Sequence, residues 1–363
     1  MMADFLKMVD VQTASENNGN LSHFNLGMKI NEFNVLLGVS GSGKTDVLRA
    51  IAGLDNVTQG KIVLKGDHIS TPDYMVDIHK RDCAYIPKDH LLFPHLTVSQ
   101  NIQLPLRKLN RKSRNIAVRH ALNIVGLDEY GRYPVKFLSP HESLLIALAL
   151  ALVFEPSLIL INNPIAFQVA SKQLSFITEL RKILTEQGIT ALIAMEEPAN
   201  AFACADKIGI MHNNKLLQWD KPYNIYHNPQ HRDTVQFIGE GIMLNGHLQS
   251  NNSLSSELGT LKFDQKSSDI NIGMKIKFLL YPDDLTYFKR SVNKGVIIRK
   301  KFQGAMTNYT LRLKAGSTAQ CICPSHLDLS LGSDFGFKVS MDHLIVFKQE
   351  SDYSIDLGAA HTS

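Results

Sequence analysis

Short, largely apolar runs recur along the first 240 residues, separated by stretches in which apolar positions have helical spacing. The runs cover Phe33–Leu37, Leu158–Ile161, Thr190–Met195 and Ile208–Met211. Apolar runs of this length are typical of strands that are buried on both faces of a parallel sheet. After the last run, Asn213-Asn214 favours a hairpin turn into a further strand. The pattern therefore predicts an α/β fold with a mostly parallel sheet.

The first apolar run leads into a glycine-rich loop and then into a helix. In the helix, Val47, Leu48 and Ile51 fall on one face, and Gly53 is a stop signal. The loop fits the pattern G-x-x-x-x-G-K-[ST], and it consists of Gly38, Val39, Ser40, Gly41, Ser42, Gly43, Lys44 and Thr45, with Asp46 following.

The residue types of this loop suit a phosphate ligand. Glycines let the backbone curl until successive N–H groups face a phosphate, and the N-terminus of the helix adds its positive end. We expect residues 38–46 to bind the phosphates of a nucleotide. Lys44 would reach the β- and γ-phosphates, and Thr45 would offer its hydroxyl to Mg²⁺. The alternative is a tight glycine-rich turn without a ligand.

After Gly239 the pattern changes to short β-type runs. Asn, Ser and Gly first cluster between Asn245 and Gly259. The runs then cover Lys275–Leu280, Gly295–Arg299, Tyr309–Leu313, Ala319–Cys323, Gly336–Val339 and Leu344–Phe347. Short strands with turns between them predict a small β-barrel or sandwich. We place the domain boundary near Gly239–Gly241 and expect the polar tail from Ser351 to be disordered.

Composition narrows the possible functions. The 363 residues carry a formal net charge of +4, too small to indicate a dedicated nucleic-acid binder, so we expect no nucleic-acid partner.

Cys321 and Cys323 form a weak metal signal, and four cysteines in all indicate reduced thiols rather than a disulfide scaffold. The longest apolar run, Leu144–Phe154, is about half the roughly 20 residues that span a bilayer. Any membrane role should therefore come through a partner.

Several further segments give the loop a family context. They are Leu92-Phe93-Pro94-His95-Leu96-Thr97-Val98, Leu138-Ser139, Ala205-Asp206-Lys207-Ile208, Tyr226-His227-Asn228-Pro229 and Phe237-Ile238-Gly239. With them the chain resembles the ATP-binding subunits of ABC importers, in the subgroup for ferric iron, polyamines and molybdate. Tyr281–Leu285 and His343–Phe347 resemble that subgroup's small regulatory domain of the TOBE type.

The resemblance implies a fold class and a domain organisation. Residues 1–239 would form an α/β P-loop NTPase domain of the ABC type, with a helical subdomain near 92–155. Residues 240–363 would form a small all-β domain of the OB or TOBE type. By the same resemblance the ligand is ATP, and Ser139 is the signature residue that touches the γ-phosphate.

The chain departs from the family where hydrolysis takes place. The Asp-Glu pair expected after the second apolar run is replaced by Asn162 and Asn163. Lys88 stands where the family has Gln, and Glu196 stands where it has the switch His. After Ser139 the signature reads Pro140-His141-Glu142. Leu150 replaces an Arg, and Val169 replaces an Asp. No aromatic ring lies between Leu6 and His23 to stack on adenine.

These substitutions predict that ATP is bound but hydrolysed poorly or not at all. Asn cannot serve as a general base, and losing a base or an electrostatic stabiliser typically costs about 10²–10⁴ in rate. No catalytic residue would be intact, and Mg²⁺ binding would be weakened. In the family, two nucleotide subunits pair head to tail, and the P-loop of one subunit faces the signature of the other. With an intact partner, one site would therefore contain Asn163 in place of the Glu, and the other would face the altered signature of this chain. Neither site would be complete.

Three functions remain open at this stage. The first is an importer subunit with impaired hydrolysis, for an ion or small solute with ferric iron as the first guess. Its partners would be a permease docked through residues 92–150, a second nucleotide subunit, identical or different, and, indirectly, a solute-binding protein. Docking on the permease would place the chain on the cytoplasmic face of the membrane. The second is an active ATPase in which Lys88 places a positive charge near the γ-phosphate, where the Gln and Mg²⁺ of the family normally act. The third is a nucleotide sensor or scaffold without a transport role.

Overall fold

The computed structural model describes residues 4–14, 20–239, 241–250, 252–263, 272–348 and 351–362. The chain divides into two compact units, Met1–Pro222 and Tyr223–Ser363. Within the described part of the chain, none of the helices combines the length and the apolar character that crossing a bilayer requires.

The strands of the first unit form two sheets. They are β1 (Leu6–Ala14), β2 (Phe24–Met28), β3 (Phe33–Leu37), β4 (Asn56–Leu64), β5 (Asp67–Thr71), β6 (Tyr74–Met75), β7 (Cys83–Ile86), β8 (Leu158–Asn162), β9 (Thr190–Met195), β10 (Lys207–His212) and β11 (Lys215–Asp220). The first sheet is antiparallel in the order β2-β1-β4-β5-β6, and the second has the order β11-β10-β3-β9-β8-β7.

The second sheet confirms the parallel sheet predicted from the apolar runs. β10, β3, β9, β8 and β7 are parallel neighbours, and β11 pairs antiparallel with β10 at the edge. Asn213 and Asn214 both have positive φ values, 45° and 59°, as the predicted hairpin turn requires. The residues of β3 and β9 are buried throughout, which is why these strands carry few polar residues.

The helices of the first unit lie between and around the sheets. They are α1 (Lys44–Ala52), α2 (Val98–Gln103), α3 (Arg111–Ile124), α4 (Pro140–Leu152), α5 (Ala170–Glu186) and α6 (Pro198–Cys204), with short 3₁₀ helices at Ile78–Lys80, Leu104–Leu106, Asp128–Arg132 and Val135–Phe137. α2, α3 and α4 pack together over the span predicted as a helical subdomain. α1 ends at Gly53 (φ 83°), as predicted.

α1 packs between the two sheets. Its buried residues Val47, Leu48 and Ile51 share one hydrophobic cluster with Ile62 of β4 and Leu160 of β8. Burying such side chains contributes about 1.5–3 kcal/mol each. The loop that precedes α1 is therefore fixed at both ends, by a central strand and by a fully packed helix.

The second unit is almost entirely β. After α7 (Pro222–His227) and α8 (Arg232–Ile238) come β12 (Ile242–Ser250), β13 (Ser253–Ser256), β14 (Gly259–Phe263), β15 (Lys275–Leu280), β16 (Leu285–Tyr287), β17 (Lys294–Phe302), β18 (Met306–Arg312), β19 (Thr318–Pro324), β20 (Asp334–Met341), β21 (Ile345–Lys348), β22 (Ser354–Asp356) and β23 (Ala360–Thr362). The strands follow the order β19-β18-β17-β20-β23-β14-β13-β12-β15-β21-β22, and β16 pairs with β20. The predicted all-β character is confirmed.

The compact units divide earlier than the boundary predicted near Gly239–Gly241. The reason is packing, since Val235 of α8 shares a hydrophobic cluster with Leu279 and Phe347 of the β-strands. The tail also differs from the expected disorder from residue 351. Within 351–362, β22 pairs with β21, and β23 pairs with β14 and β20.

The cysteine pair of the second unit lies in its core. The Sγ atoms of Cys321 and Cys323 are 3.7 Å apart, and the Cys321 thiol also donates to the carbonyl oxygen of Leu285 at 3.0 Å. Both side chains are buried. Among the described residues no group of three or more His, Cys, Asp or Glu side chains could hold a metal ion.

Candidate nucleotide-binding site

The predicted site residues, apart from Ser139, meet at one edge of the parallel sheet. β3, β7, β8 and β9 are parallel, so their carboxyl ends lie at the same edge, where open α/β sheets bind ligands. A cavity of about 130 Å³ lies there, lined from the loop and α1 by Ser40, Gly41, Gly43, Lys44, Thr45 and Asp46. Lys88, Asn162, Asn163 and Glu196 complete its lining. The structure thus brings together four substituted positions from three places that lie far apart in sequence.

Two glycines of the loop are required by close contacts. A Cβ at Gly38 would lie 2.4 Å from the carbonyl oxygen of Met211, and a Cβ at Gly43 would lie 2.6 Å from Oδ1 of Asn214. Gly43 also has φ 96°, a conformation that L side chains rarely adopt. The backbone N–H of Asn214 donates to the carbonyl oxygen of Ser42 at 3.1 Å, so the β10–β11 turn supports the loop.

Lys44 lies folded against its own loop. Its Nζ donates to the carbonyl oxygens of Gly38 (2.8 Å) and Val39 (2.7 Å) and to Oγ of Ser42 (3.2 Å). Burial lowers the pKa of Lys44 to about 8; the charge of Glu196 opposes that shift, and the charge of Lys88 adds to it. An anion in the cavity would favour the charged ammonium, which makes this side chain suited to a phosphate.

The polar groups at the end of β8 form a poor set of ligands for Mg²⁺. Nδ2 of Asn162 donates to Oγ1 of Thr45 at 3.2 Å, so an amide N–H faces the hydroxyl that would coordinate the metal. Asn163 has φ 51° and donates its backbone N–H to the carbonyl oxygen of Ala194 at 2.9 Å. Mg²⁺ requires oxygen ligands and is usually held through carboxylates, which neither residue supplies. The donor set at these positions does not fit the ion.

The charged side chains of the cavity come from separate elements. Lys88 follows β7, and its Nζ lies 6.0 Å from the ring centroid of Phe167. Glu196 follows β9, and Asp46 lies in the first turn of α1. Burial raises the pKa of Asp46, and the charge of Asp55 adds to that shift. Lys44 and Lys88 thus give the cavity two cations.

Ser139 lies outside this cavity, at the N-cap of α4. Its Oγ accepts the backbone N–H of Glu142 at 3.3 Å, and Oε2 of Glu142 accepts the backbone N–H of Ser139 at 2.7 Å. The hydroxyl of Tyr130 donates to Oε1 of Glu142 at 2.6 Å, and this bond is the main reason that the pKa of Glu142 is lowered. Glu142 therefore caps its own helix. Pro140 at the first helical position loses no intrahelical hydrogen bond.

Sequence reasoning missed Arg81, which fixes the C-terminal end of α1. Its buried guanidinium donates to the carbonyl oxygens of Ile51 (2.6 Å), Ile69 (2.9 Å) and Val76 (3.0 Å) and to Oγ of Ser70 (2.7 Å). A Cβ at Gly53 would lie 2.6 Å from this guanidinium, so Gly53 also makes room for it. No sequence motif marks Arg81, because its partners are distant in sequence.

A glycine-rich loop between a central parallel strand and a packed helix, with polar residues from neighbouring strand ends, defines a P-loop NTPase fold. The protein-family model described as ABC transporter matches residues 21–166. The chain is 31% identical over 326 residues to the Fe(3+) ions import ATP-binding protein FbpC of Haemophilus influenzae, covering 86% of this chain and 90% of the relative. The chain therefore belongs to the ABC transporter family, among its ATP-binding proteins, which confirms the resemblance.

Other relatives cover nearly the whole chain. An FbpC of Fusobacterium nucleatum is 27% identical over 96% of this chain and 95% of the relative. The spermidine/putrescine import ATP-binding protein PotA of Clostridioides difficile is 26% identical over 97% of this chain and 100% of the relative. The resemblance thus extends through the second unit.

Solved structures show the same fold in the nucleotide-binding part. CbiO1 from Clostridium perfringens, part of an ABC transporter complex, has a TM-score of 0.56 at 20% identity and covers 62% of this chain and 92% of its own. An ATP-binding cassette solved as a dimer with ADP and Pi has a TM-score of 0.52 at 24% identity, over 60% of this chain and 98% of its own. With the all-β second unit, these matches confirm the predicted fold class.

Proposed function

We propose that this chain is the ATP-binding subunit of an ABC-type importer, and that it binds ATP but hydrolyses it poorly or not at all. The observation that carries the proposal is the cavity itself, which combines a complete phosphate loop with Asn162 and Asn163. In the family these positions hold the metal-binding Asp and the water-polarising Glu. Neither amide can accept a proton from an attacking water.

The phosphates would lie along residues 38–46, with Lys44 on the β- and γ-phosphates. Binding would draw Nζ of Lys44 away from the carbonyl oxygens of Gly38 and Val39, its present partners. Thr45 would bind Mg²⁺ weakly, because the ligand set at the end of β8 carries no charge. Ser139 would face the nucleotide of a second nucleotide subunit, identical or different, as in head-to-tail family dimers.

A membrane permease is the proposed principal partner. A cleft of about 460 Å³ lies between residues 78–91 and α4. Its lining includes Leu91 and Phe154, which are 65% and 58% exposed, together with Leu150. Exposed apolar residues grouped in this way mark interaction surfaces. We propose that a permease segment packs there and holds the chain at the cytoplasmic face of the membrane.

The transported solute is proposed from the relatives alone. Relatives of similar length are named for the import of Fe(3+) ions and of spermidine and putrescine. Ferric iron is our first proposal, with a solute-binding protein as an indirect partner. The second unit would be a regulatory domain of the TOBE type that aids dimerisation or senses a ligand.

Two assays on the purified chain test the proposal. Equilibrium ATP binding should be measurable, while release of inorganic phosphate stays near background, alone and with a co-expressed permease. Turnover at a rate typical of ABC ATPases would contradict impaired hydrolysis. Co-purification of the permease separates the importer subunit from a sensor or scaffold without a transport role, which would recover none.

Glu196 supports a second candidate, an active ATPase with substitute groups. It is a carboxylate that lines the cavity one strand away from Asn163. In that case the wild-type chain would turn over ATP, and Glu196→Gln would abolish turnover while leaving ATP bound. Equal turnover in the two proteins would exclude Glu196 as the base.

A further inference from the structure

The charges around the cavity do not suit a metal–nucleotide complex. The amide of Asn162 directs an N–H at Oγ1 of Thr45, and Asn163 adds no charge. A cation at that place would meet the positive end of the amide dipole. The carboxylates that line the cavity, Asp46 and Glu196, belong to other elements, α1 and the end of β9.

A second lysine, Lys88, lines the cavity. Lys88 lies at the end of β7, beside β8, and lines the same cavity as Lys44. The charge of Lys88 is close enough to lower the pKa of Lys44 by electrostatic repulsion. An anion between the two ammonium groups would relieve this repulsion, so the two lysines favour a polyanionic ligand in the cavity, which Asp46 and Glu196 also line.

The side chain of Lys88 is exposed and free of ion pairs among the described residues, so it can contact a ligand in the cavity. It is exposed, and its Nζ lies at the outer limit for an interaction with the ring of Phe167. None of the ion pairs found among the described residues includes it. An exposed ammonium without a carboxylate partner can approach phosphate oxygens at little cost.

We propose that this cavity binds a nucleoside triphosphate without Mg²⁺, and that the ammonium of Lys88 takes the place of the metal on the β- and γ-phosphate oxygens. This inference rests on the proposed function, because it names the form of the nucleotide that the same site binds. Asn162 is the residue that excludes the metal, through the hydrogen bond from its amide to Thr45.

The test measures ATP binding to the full chain by calorimetry, once with chelator and once with Mg²⁺. We expect affinities that agree within about threefold, whereas Lys88→Gln should weaken chelator-treated binding by about tenfold or more, the value of a charge-assisted hydrogen bond. Lys88→Arg should retain most of the affinity. Lys112→Gln, on the exposed face of α3, is the control and should change nothing. Asn162→Asp should make binding depend on Mg²⁺.

The outcomes separate this inference from the proposed function. Binding that is lost in chelator would overturn the metal-free site but leave an ATP-binding subunit. Unchanged metal-free affinity in Lys88→Gln, with an unchanged melting temperature, would overturn the role of Lys88. Absence of ATP binding under both conditions would remove the proposed function as well.

Discussion

Lys44 shows how a single side chain both stabilises the loop and prepares it for a ligand. Its ammonium donates to the carbonyl oxygens of Gly38 and Val39 at a tight turn, and the Val39 oxygen also accepts the backbone N–H of Ser42. The cost of burying this charge is seen in its lowered pKa. A phosphate offers stronger acceptors than these carbonyls, so the ligand gains from a charge that is already desolvated.

Replacing Lys44 by Ala should weaken ATP binding by about 10- to 100-fold, since hydrogen bonds to charged groups contribute about 1.5–3 kcal/mol. Isothermal titration calorimetry provides the measurement, and Lys108→Ala, at an exposed residue before α3, is the matched control. Equal affinities of Lys44→Ala and the wild type would place the nucleotide elsewhere.

At the scale of elements, the strands that the sequence predicts well are those buried on both faces. Leu158–Ile161 and Thr190–Met195 carry an unbroken apolar signal, and both become strands of the parallel sheet. β4 and β12 escape prediction because they are half exposed and contain Gly and Gln or Asn and His. Their pairing is decided by partners distant in sequence, which a local pattern does not reveal.

The candidate site also combines features that the sequence predicts with features that depend on contacts between distant segments. The glycine-rich loop is a local signal, whereas the substituted positions follow from the family resemblance, and the structure brings both to one cavity. The contact of Asn214 with Gly43 and the bonds from Arg81 to α1 depend on how distant segments pack. The capping role of Glu142 follows a local pattern, Ser139 and Glu142 three residues apart, whereas the hydrogen bond from the Tyr130 hydroxyl to Glu142 depends on packing.

Val169 leaves the N-terminus of α5 without a side-chain cap. It occupies the N-cap position and is 68% exposed. Val169→Asp should therefore stabilise the protein by about 1 kcal/mol, because a carboxylate there accepts free N–H groups of the first turn. Urea unfolding gives the measurement. Val169→Ala, which has no acceptor, should show no such gain, and a loss of stability in Val169→Asp would contradict the capping argument.

Asp284, in the turn before β16, should make the stability of the second unit depend on pH. Its Oδ2 accepts the backbone N–H of Tyr281 at 2.7 Å. Burial, with the charges of Asp283 and Asp342, raises the pKa of Asp284 to about 7 from its ordinary 3.8. The folded chain thus holds this proton more tightly, and the resulting stabilisation is complete below pH 3.8 and is lost as the pH rises through 7.

Asp284→Asn keeps an acceptor for Tyr281 but removes this titration. Melting temperatures of the two proteins, measured between pH 5 and pH 8, should therefore diverge as the pH rises, with the wild type losing more stability. Parallel pH profiles would show that Asp284 titrates normally.

At the scale of the whole molecule, the substitutions at the family's catalytic and signature positions would affect both sites of a nucleotide-subunit pair. In a head-to-tail pair with an intact subunit, one site would contain Asn163 in place of the Glu, and the other would face Pro140-His141-Glu142. Neither site would have both halves of the catalytic set. The phosphate loop, by contrast, keeps its glycines, its lysine and its packing between two sheets. Selection for nucleotide binding without turnover would leave such a pattern.

A single-turnover experiment tests this account most directly. Purified protein is loaded with radiolabelled ATP, separated from free nucleotide, and sampled over time for bound ATP, ADP and phosphate. The account predicts that the chain retains nucleotide and that it remains intact ATP. Failure to retain any nucleotide, or its conversion to ADP and phosphate at the rate of an active ABC ATPase, would contradict it.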